Sequence, residues 1–435
     1  MSAGSYGSMP MRPSSSRRRM VRSERTTRRF YEHCDKVHAP VSMLFPPIEP
    51  NERFRERRAA ARRRKRLRRS AALAAVLAAV LLLGMGAQFV GTDESAQPVT
   101  DLATLAATPS SGPRTLPIEL RGVHVTMGLA SLPGKLDEYL ELERDGLTAL
   151  ELDVKDENGE IGFVTPAVPR LAVSIGAARA YYQAREAAKR VHDRGIYLVG
   201  RIVVFEDPVL SQARPDLAIR TAGGGVWRDA AGLGWTNPYD RRVWRYNVGV
   251  AVAAARAGFD EIMFDYVRFP SDGDVGSAVY RNERSLAKRK AIPQFLRYAK
   301  SRLEPYGVRI SAAVFGLSGA RDLGIGQLPR KMAPYLDTVY AMTYPSLFGA
   351  GELGLQDPST APGATVARAL RRFELALRGQ DALIVPWVQD FSFSVPYDLD
   401  EVRAQIDAAR LSGAKGYMLW NAEGLYTDGA LAPPS

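Results

Sequence analysis

A chain of 435 residues, 46% of them hydrophobic, holds more than enough apolar material for one large domain and an appendage. Its formal charge of +12 resembles a nucleic-acid signature until it is located: residues 1–69 hold 20 Lys and Arg against 6 Asp and Glu, while the remaining 366 carry 39 basic and 41 acidic groups. The bulk of the protein is therefore slightly acidic, which excludes a basic nucleic-acid face there, and its single cysteine, Cys34, lies in the basic tail, which excludes disulfides and thiolate chemistry from the rest.

Residues 1–69, rich in Ser and Arg and poor in aliphatics, read as a disordered cytoplasmic tail. The block "RFRERRAAARRRKRLRR" then runs directly into "SAALAAVLAAVLLLGMGAQFVGT", residues 70–92, which contains one acid or base in none of its positions. A bilayer-spanning helix needs roughly 20 predominantly apolar residues, and arginines clustered before such a run stay on the cytoplasmic side. The expectation is a single-pass signal anchor at 70–92 in the cell membrane with the C-terminal part extracytoplasmic, or a secreted domain if the segment is cleaved. A linker rich in Thr, Ala, Ser and Pro follows at 93–119.

From Leu120 onward short β-like runs alternate with longer helical patterns. The runs are "GVHVT" (122–126), "ALELDVKD" (149–156), "YLVGRIVVFED" (197–207), "EIMFDYVRF" (261–269), "RISAAVFG" (309–316), "DTVYAMTYP" (337–345), "ALIVPWVQD" (382–390) and "GYMLWNAEG" (416–424). Eight strands separated by segments such as "AREAAKRVHDRG", each with helical apolar spacing and a terminal Gly, predict an α/β fold, a (β/α)₈ TIM barrel over 120–435. A doubly wound sheet fits less well, because "VTMGLASLPGK" after the first run carries no Gly-rich nucleotide loop.

In such a barrel the chemistry sits at the carboxyl ends of the strands. Five of the eight runs end in acids or amides: Asp153 and Asp156, Glu206 and Asp207, Asp265, Gln389 and Asp390, Asn421 and Glu423. Period-2 alternation puts Glu151, Asp153 and Lys155 on one face of the second strand, opposite Leu150, Leu152 and Val154. Three inward ionisable groups need partners, with Arg201, Asp265 and Arg268 as candidates; the alternative is an ion-pair network that only fixes the fold. Aromatics flank the acids: Trp227, Trp235 and Trp244 after the third strand, then Tyr344, Trp387, Phe391, Trp420 and Tyr426. Sugars present apolar C–H faces to aromatics and hydroxyls to carboxylates and amides, so this mixture suits a carbohydrate. Beyond residue 69 only two histidines occur, His124 and His192, so no metal site is expected and no cofactor is indicated.

The stretches "ELDVKDENGEI", "WTNPYDRRVWRYN", "GFDEIMFDYVRFP", "MTYPS" and "VPWVQDF", in this order along the chain, resemble the bacterial domain family described as a putative glycoside hydrolase and first catalogued as domain of unknown function 4015. The resemblance covers about residues 121–428 and implies a glycosidase-type barrel working with strand-end carboxylates. On that footing Asp265 matches the nucleophile position at the end of the fourth strand, with Arg268 keeping it ionised by opposite charge. Asp390, then Glu206, Glu423 and Asp153, are ranked as proton donor. Asp153, Lys155, Arg268, Tyr344, Trp387, Gln389 and Trp420 are expected to bind a polysaccharide or oligosaccharide substrate. Two rival functions remain open at this stage: a non-catalytic polysaccharide-binding barrel, and a cell-envelope scaffold whose basic tail binds anionic lipid or a partner. Oligomeric state has no sequence signal.

The arginine block before Ser70 makes the topology testable. Protease added to intact spheroplasts should digest the domain that begins near Leu120 and spare the tail; full protection of that domain defeats the assignment.

Overall fold

The structure is a computed structural model that describes residues 115–282, 286–393 and 395–433. The expected tail and the apolar segment at 70–92 lie outside the described residues. Among those described, no helix is long and apolar enough to cross a membrane.

Eight parallel strands close into one barrel in chain order: β1 (Leu120–Val125), β2 (Ala149–Lys155), β3 (Tyr197–Val203), β4 (Glu261–Asp265), β5 (Arg309–Phe315), β6 (Thr338–Met342), β7 (Leu383–Gln389) and β8 (Gly416–Trp420), with β8 pairing back onto β1. The crossovers carry α1 (Lys135–Glu141), α2 (Ala184–Asp193), α3 (Arg241–Ala257), α4 (Lys288–Leu303), the short α5 (Pro329–Met332), α6 (Pro362–Ala376) and α7 (Leu399–Leu411). This is a (β/α)₈ barrel, and each strand falls inside the run that predicts it or within two residues of it.

The helices form where local chemistry allows both ends to be satisfied. Asp240 caps α3 by accepting from the Arg242 N–H, and Gly258 ends it in the left-handed region at φ 107°. Asp398 and Glu401 cap α7 reciprocally. In α2 the residues Ala184, Ala187, Ala188 and Val191 are buried, a helical spacing that lays one stripe against the barrel. Outward strand residues such as Leu150, Leu152, Val154, Ile202 and Phe264 join these helices in the main core.

Inside the barrel, Tyr197, Val199, Met263, Ala313, Tyr340, Val385, Trp387 and Met418 pack as a second apolar cluster. Two glycines make the closure possible. A Cβ on Gly122 would meet the Met418 sulfur at 2.5 Å, and one on Gly416, at φ 149°, would meet the Leu120 carbonyl oxygen at 2.0 Å, so the β1–β8 seam depends on their bareness.

The alternation along β2 holds for Glu151 and Asp153 but not for Lys155. Asp153 pairs with Arg201, after which the register jumps so that Lys155 pairs with Ile202, an outward residue. This irregularity turns Lys155 out of the inward polar set, contrary to the simple period-2 expectation. Its ammonium lies 2.9 Å from Asp207 and donates to the Val203 carbonyl at 2.6 Å, all fully buried. Lys155 therefore fastens β2 to the loop after β3. Replacing Lys155 by Met strands the Asp207 carboxylate and should cost about 3–5 kcal/mol of unfolding free energy; a denaturation midpoint within error of the parent would show that the pair is solvated.

Candidate active site

The carboxyl ends of β1 to β4 converge on one guanidinium. Arg201, on β3 and 6% exposed, donates from Nη1 to Asp153 Oδ1 at 2.8 Å and from Nε to Asp265 Oδ2 at 2.9 Å, with Nη2 2.8 Å from the same oxygen. Glu151 and Glu157 stand 3.8 and 3.6 Å away. Burial alone would depress the Arg201 pKa, but Asp265, Asp153, Glu157 and Glu151 outweigh it and hold the charge firmly. Arg201, not Arg268, is thus the partner of Asp265, which corrects the sequence expectation. The reason is geometric: β4 ends at Asp265, and the chain turns away before residue 268.

Behind this cluster lies His124 of β1. Its Nδ1 is 3.0 Å from Glu151 Oε1 and its Nε2 3.8 Å from Asp153 Oδ2. Burial opposes the imidazolium, yet the carboxylates of Asp153 and Glu151 prevail and the His124 pKa rises above 6.5. Glu151 is itself pushed up by burial, against the pull of His124 and Arg201.

Tyr266, immediately after Asp265, has φ 46°, an uncommon left-handed conformation for a bulky side chain. It directs its N–H to Asp265 Oδ1 at 2.7 Å. Alongside it the loop from β3 continues the pairing, with Val204 and Phe205 N–H groups bonded to the Asp265 and Tyr266 carbonyls. Glu206 comes next. It is 5% exposed, and no hydrogen bond reaches its carboxyl among the described residues. Burial raises its pKa well above the ordinary carboxylate range, Asp229 adds to the rise, and Arg268 opposes it.

The other expected site residues are distributed differently. Both oxygens of Asp390 are taken by Thr427, one by its N–H at 2.9 Å and one by its hydroxyl at 2.6 Å, and Asn421 donates to the Asp390 carbonyl, so Asp390 fastens the loop after β8. Glu423 is exposed on that loop. Gln389 is fully buried and binds Ser346 through both its oxygen and its nitrogen, clamping the loop after β6. Tyr344 stacks at tilted angles on Trp420 at 5.5 Å and Trp387 at 6.4 Å, and Phe391 meets Trp420 edge-on at 5.5 Å, forming an aromatic wall on the β6–β8 side. Of the earlier tryptophans, Trp244 packs on α4 against Phe295, away from the acids, while Trp235 lies under Arg268, its ring centroid 5.0 Å from the guanidinium carbon. Glu157 and Tyr266 were not singled out from sequence. Glu157 follows the strand-end acid Asp156, whose own pKa burial and Glu157 raise to about 7, but the backbone conformation that gives Tyr266 its place has no sequence signal.

A recess of about 610 Å³ lined by Thr115, Pro117, Leu147 and Tyr197 opens at the opposite, amino-terminal end of the barrel, where barrel features serve stability and not chemistry.

The arrangement defines a class: a (β/α)₈ barrel whose carboxyl-terminal mouth joins paired acids on one side to an aromatic wall on the other. The chain belongs to the family described as a putative glycosyl hydrolase domain, DUF4015, whose model matches residues 122–426. Among solved structures, the glycoside hydrolase domain of PgaB (BpsB) from Bordetella bronchiseptica shares the fold at 16% identity and a TM-score of 0.52, over 71% of this chain and 95% of that one. A hypothetical protein from Ruminiclostridium thermocellum is 34% identical over 44% of this chain and 96% of its own, with a TM-score of 0.40. The spore cortex-lytic enzyme SleL of Bacillus cereus matches at 12% identity and a TM-score of 0.44, over 73% and 74% of the two chains. No curated protein matches the sequence.

The raised pKa of His124 has a signed consequence. A group whose folded pKa exceeds its unfolded value stabilises fully below the unfolded value, here 6.5, and loses that contribution as pH rises through the folded value. The stability difference between the parent and His124→Gln should therefore be larger at pH 6 than at pH 9 in chemical denaturation. A difference that does not change with pH removes the imidazolium from the network.

Proposed function

We propose that the barrel hydrolyses glycosidic bonds of a polysaccharide, with Asp265 as nucleophile or charge stabiliser and Glu206 as proton donor. The observation that carries this reading is the contrast between two adjacent strand-end carboxyls. Asp265 is gripped by the Arg201 fork and the Tyr266 N–H, which are charge-assisted and backbone donors to its two oxygens. Glu206 is buried, no hydrogen bond reaches its carboxyl among the described residues, and its pKa is raised, an environment that keeps the proton. A carboxyl that accepts from a cationic fork and one whose burial raises its pKa divide the labour of acid and base.

Glu206 is preferred to Asp390 because both Asp390 oxygens already accept from Thr427. Asp153 serves as the second carboxylate on Arg201, orienting the fork toward Asp265. The aromatic wall of Tyr344, Trp387 and Trp420 supplies stacking faces for sugar rings. We further place the barrel outside the cell membrane, tethered by residues 70–92, on the strength of the apolar run and the arginines before it.

Two substitutions separate the roles. Asp265→Asn should lower turnover of both polysaccharide and activated aryl glycosides by about three orders of magnitude or more, because the lost charge acts in the transition state. Glu206→Gln should lower polysaccharide turnover by about 10²–10⁴-fold but spare substrates with a nitrophenolate leaving group, which departs without a proton. Equal losses on both substrates for Glu206→Gln would remove it as the acid, and an unchanged rate for Asp265→Asn would remove Asp265 from the chemistry.

A further inference from the structure

Among the described residues, Arg268 is a buried cation without an anion in ion-pair contact. It is 5% exposed, yet no carboxylate lies within ion-pair distance of it among the described residues. Three rings enclose its guanidinium carbon: Phe315 at 4.6 Å, Tyr266 at 4.8 Å and Trp235 at 5.0 Å. One nitrogen is anchored, Nη1 donating to Ser271 Oγ at 3.1 Å and to the Phe269 carbonyl at 3.2 Å. Its Nε and Nη2 make no hydrogen bond among the described residues. These two nitrogens form the side edge of the guanidinium, the edge that a carboxylate meets with two parallel hydrogen bonds.

The neighbouring acids are committed elsewhere. Asp229 accepts from Trp235 Nε1 and from the Leu233 N–H, Asp272 from the Ala230 N–H, and Glu157 stands against Arg201. Glu206 is the remaining acid whose field reaches Arg268, and burial holds its proton on. Arg201 offers no alternative, because Asp153 and Asp265 already occupy it. Among the described residues, the mouth of the barrel therefore contains one filled arginine fork and one open one.

We propose that Arg268 is a specificity-determining residue that binds a carboxylate on the glycan through its Nε–Nη2 edge, so that the substrate is an acidic polysaccharide. This rests on the glycosidase reading and adds the chemical class of the sugar. The aromatic enclosure excludes water from the guanidinium and fixes its plane, which strengthens a charge-assisted pair and removes the entropy of ordering the side chain on binding. A carboxylate can come from a uronic acid ring or from an acidic ether substituent on an amino sugar, and the two sources are separated by the probes.

The test measures binding of the full chain at fixed ionic strength to two matched pairs: polygalacturonate and its carboxyl-reduced form, and soluble peptide-free peptidoglycan glycan strands, whose ether-linked carboxyls are free, and their carboxyl-reduced form. At least one acidic member should bind about tenfold or more tightly than its reduced partner, and which one does so identifies the source of the carboxylate. Arg268→Gln should erase the preference, and Arg268→Lys, which keeps the charge but loses the fork, should retain only a small part of it. The inference is overturned if neither pair shows a preference, or if the preference survives either substitution undiminished; Arg268→Lys decides alone should Arg268→Gln fail to fold. Binding is read without turnover, so the two readings fail separately. A chain that binds the acidic polymer and cleaves nothing overturns the hydrolase, whereas one that cleaves acidic and reduced polymers alike overturns only this assignment.

Discussion

The mouth of this barrel is organised around the desolvation of Arg201. A guanidinium taken out of water is costly unless every edge meets an acceptor, and the solution here is to surround it with carboxylates from β2 and β4. Those carboxylates in turn cannot be buried together without the cation. The arrangement is self-consistent only as a whole: Asp153 and Asp265 lie on either side of the strand that supplies Arg201, so the pairing order of β2, β3 and β4 is itself a condition for neutralising the cluster. Fold and site are one constraint at this point.

Directly below the cluster Val199, Met263, Ala313 and Met418 form a fully buried apolar floor, and beneath it Glu261, at the start of β4, accepts from the Tyr197 hydroxyl at 3.0 Å. A floor of that kind lowers the local dielectric and lengthens the reach of each charge above it. It explains why His124 and Glu151, which touch no exposed surface, are still coupled to the strand-end acids, and why burial raises the pKa of Glu206. The aromatic wall across the mouth extends the same low-dielectric lining to the β6–β8 side.

Much of this was legible before any coordinates. Eight alternations located all eight strands, and period 2 put Glu151, Asp153 and Asp265 indoors, because a strand buried on both faces leaves an ionisable residue few alternatives. The reading failed where one residue of backbone irregularity intervened. A single register jump after Asp153 sent Lys155 to Asp207, and the left-handed turn at Tyr266 separated Arg268 from Asp265. Neither event leaves a mark in composition or spacing. Asp390 and Glu206 could not be told apart for a related reason: both end a strand run, and only tertiary contacts show that Thr427 occupies one while no hydrogen bond reaches the other's carboxyl among the described residues.

The polarity of β1 has a consequence for how the molecule is held. Because Leu120 begins β1 at the amino-terminal rim and His124 lies near its other end, the chain enters the barrel through its base. A strand of six residues spans roughly 20 Å, so the acidic mouth lies about that far from the end of the barrel where β1 begins. The rim that carries the acids is the end away from Leu120, and a long polymer can lie across it without meeting the strand's point of entry.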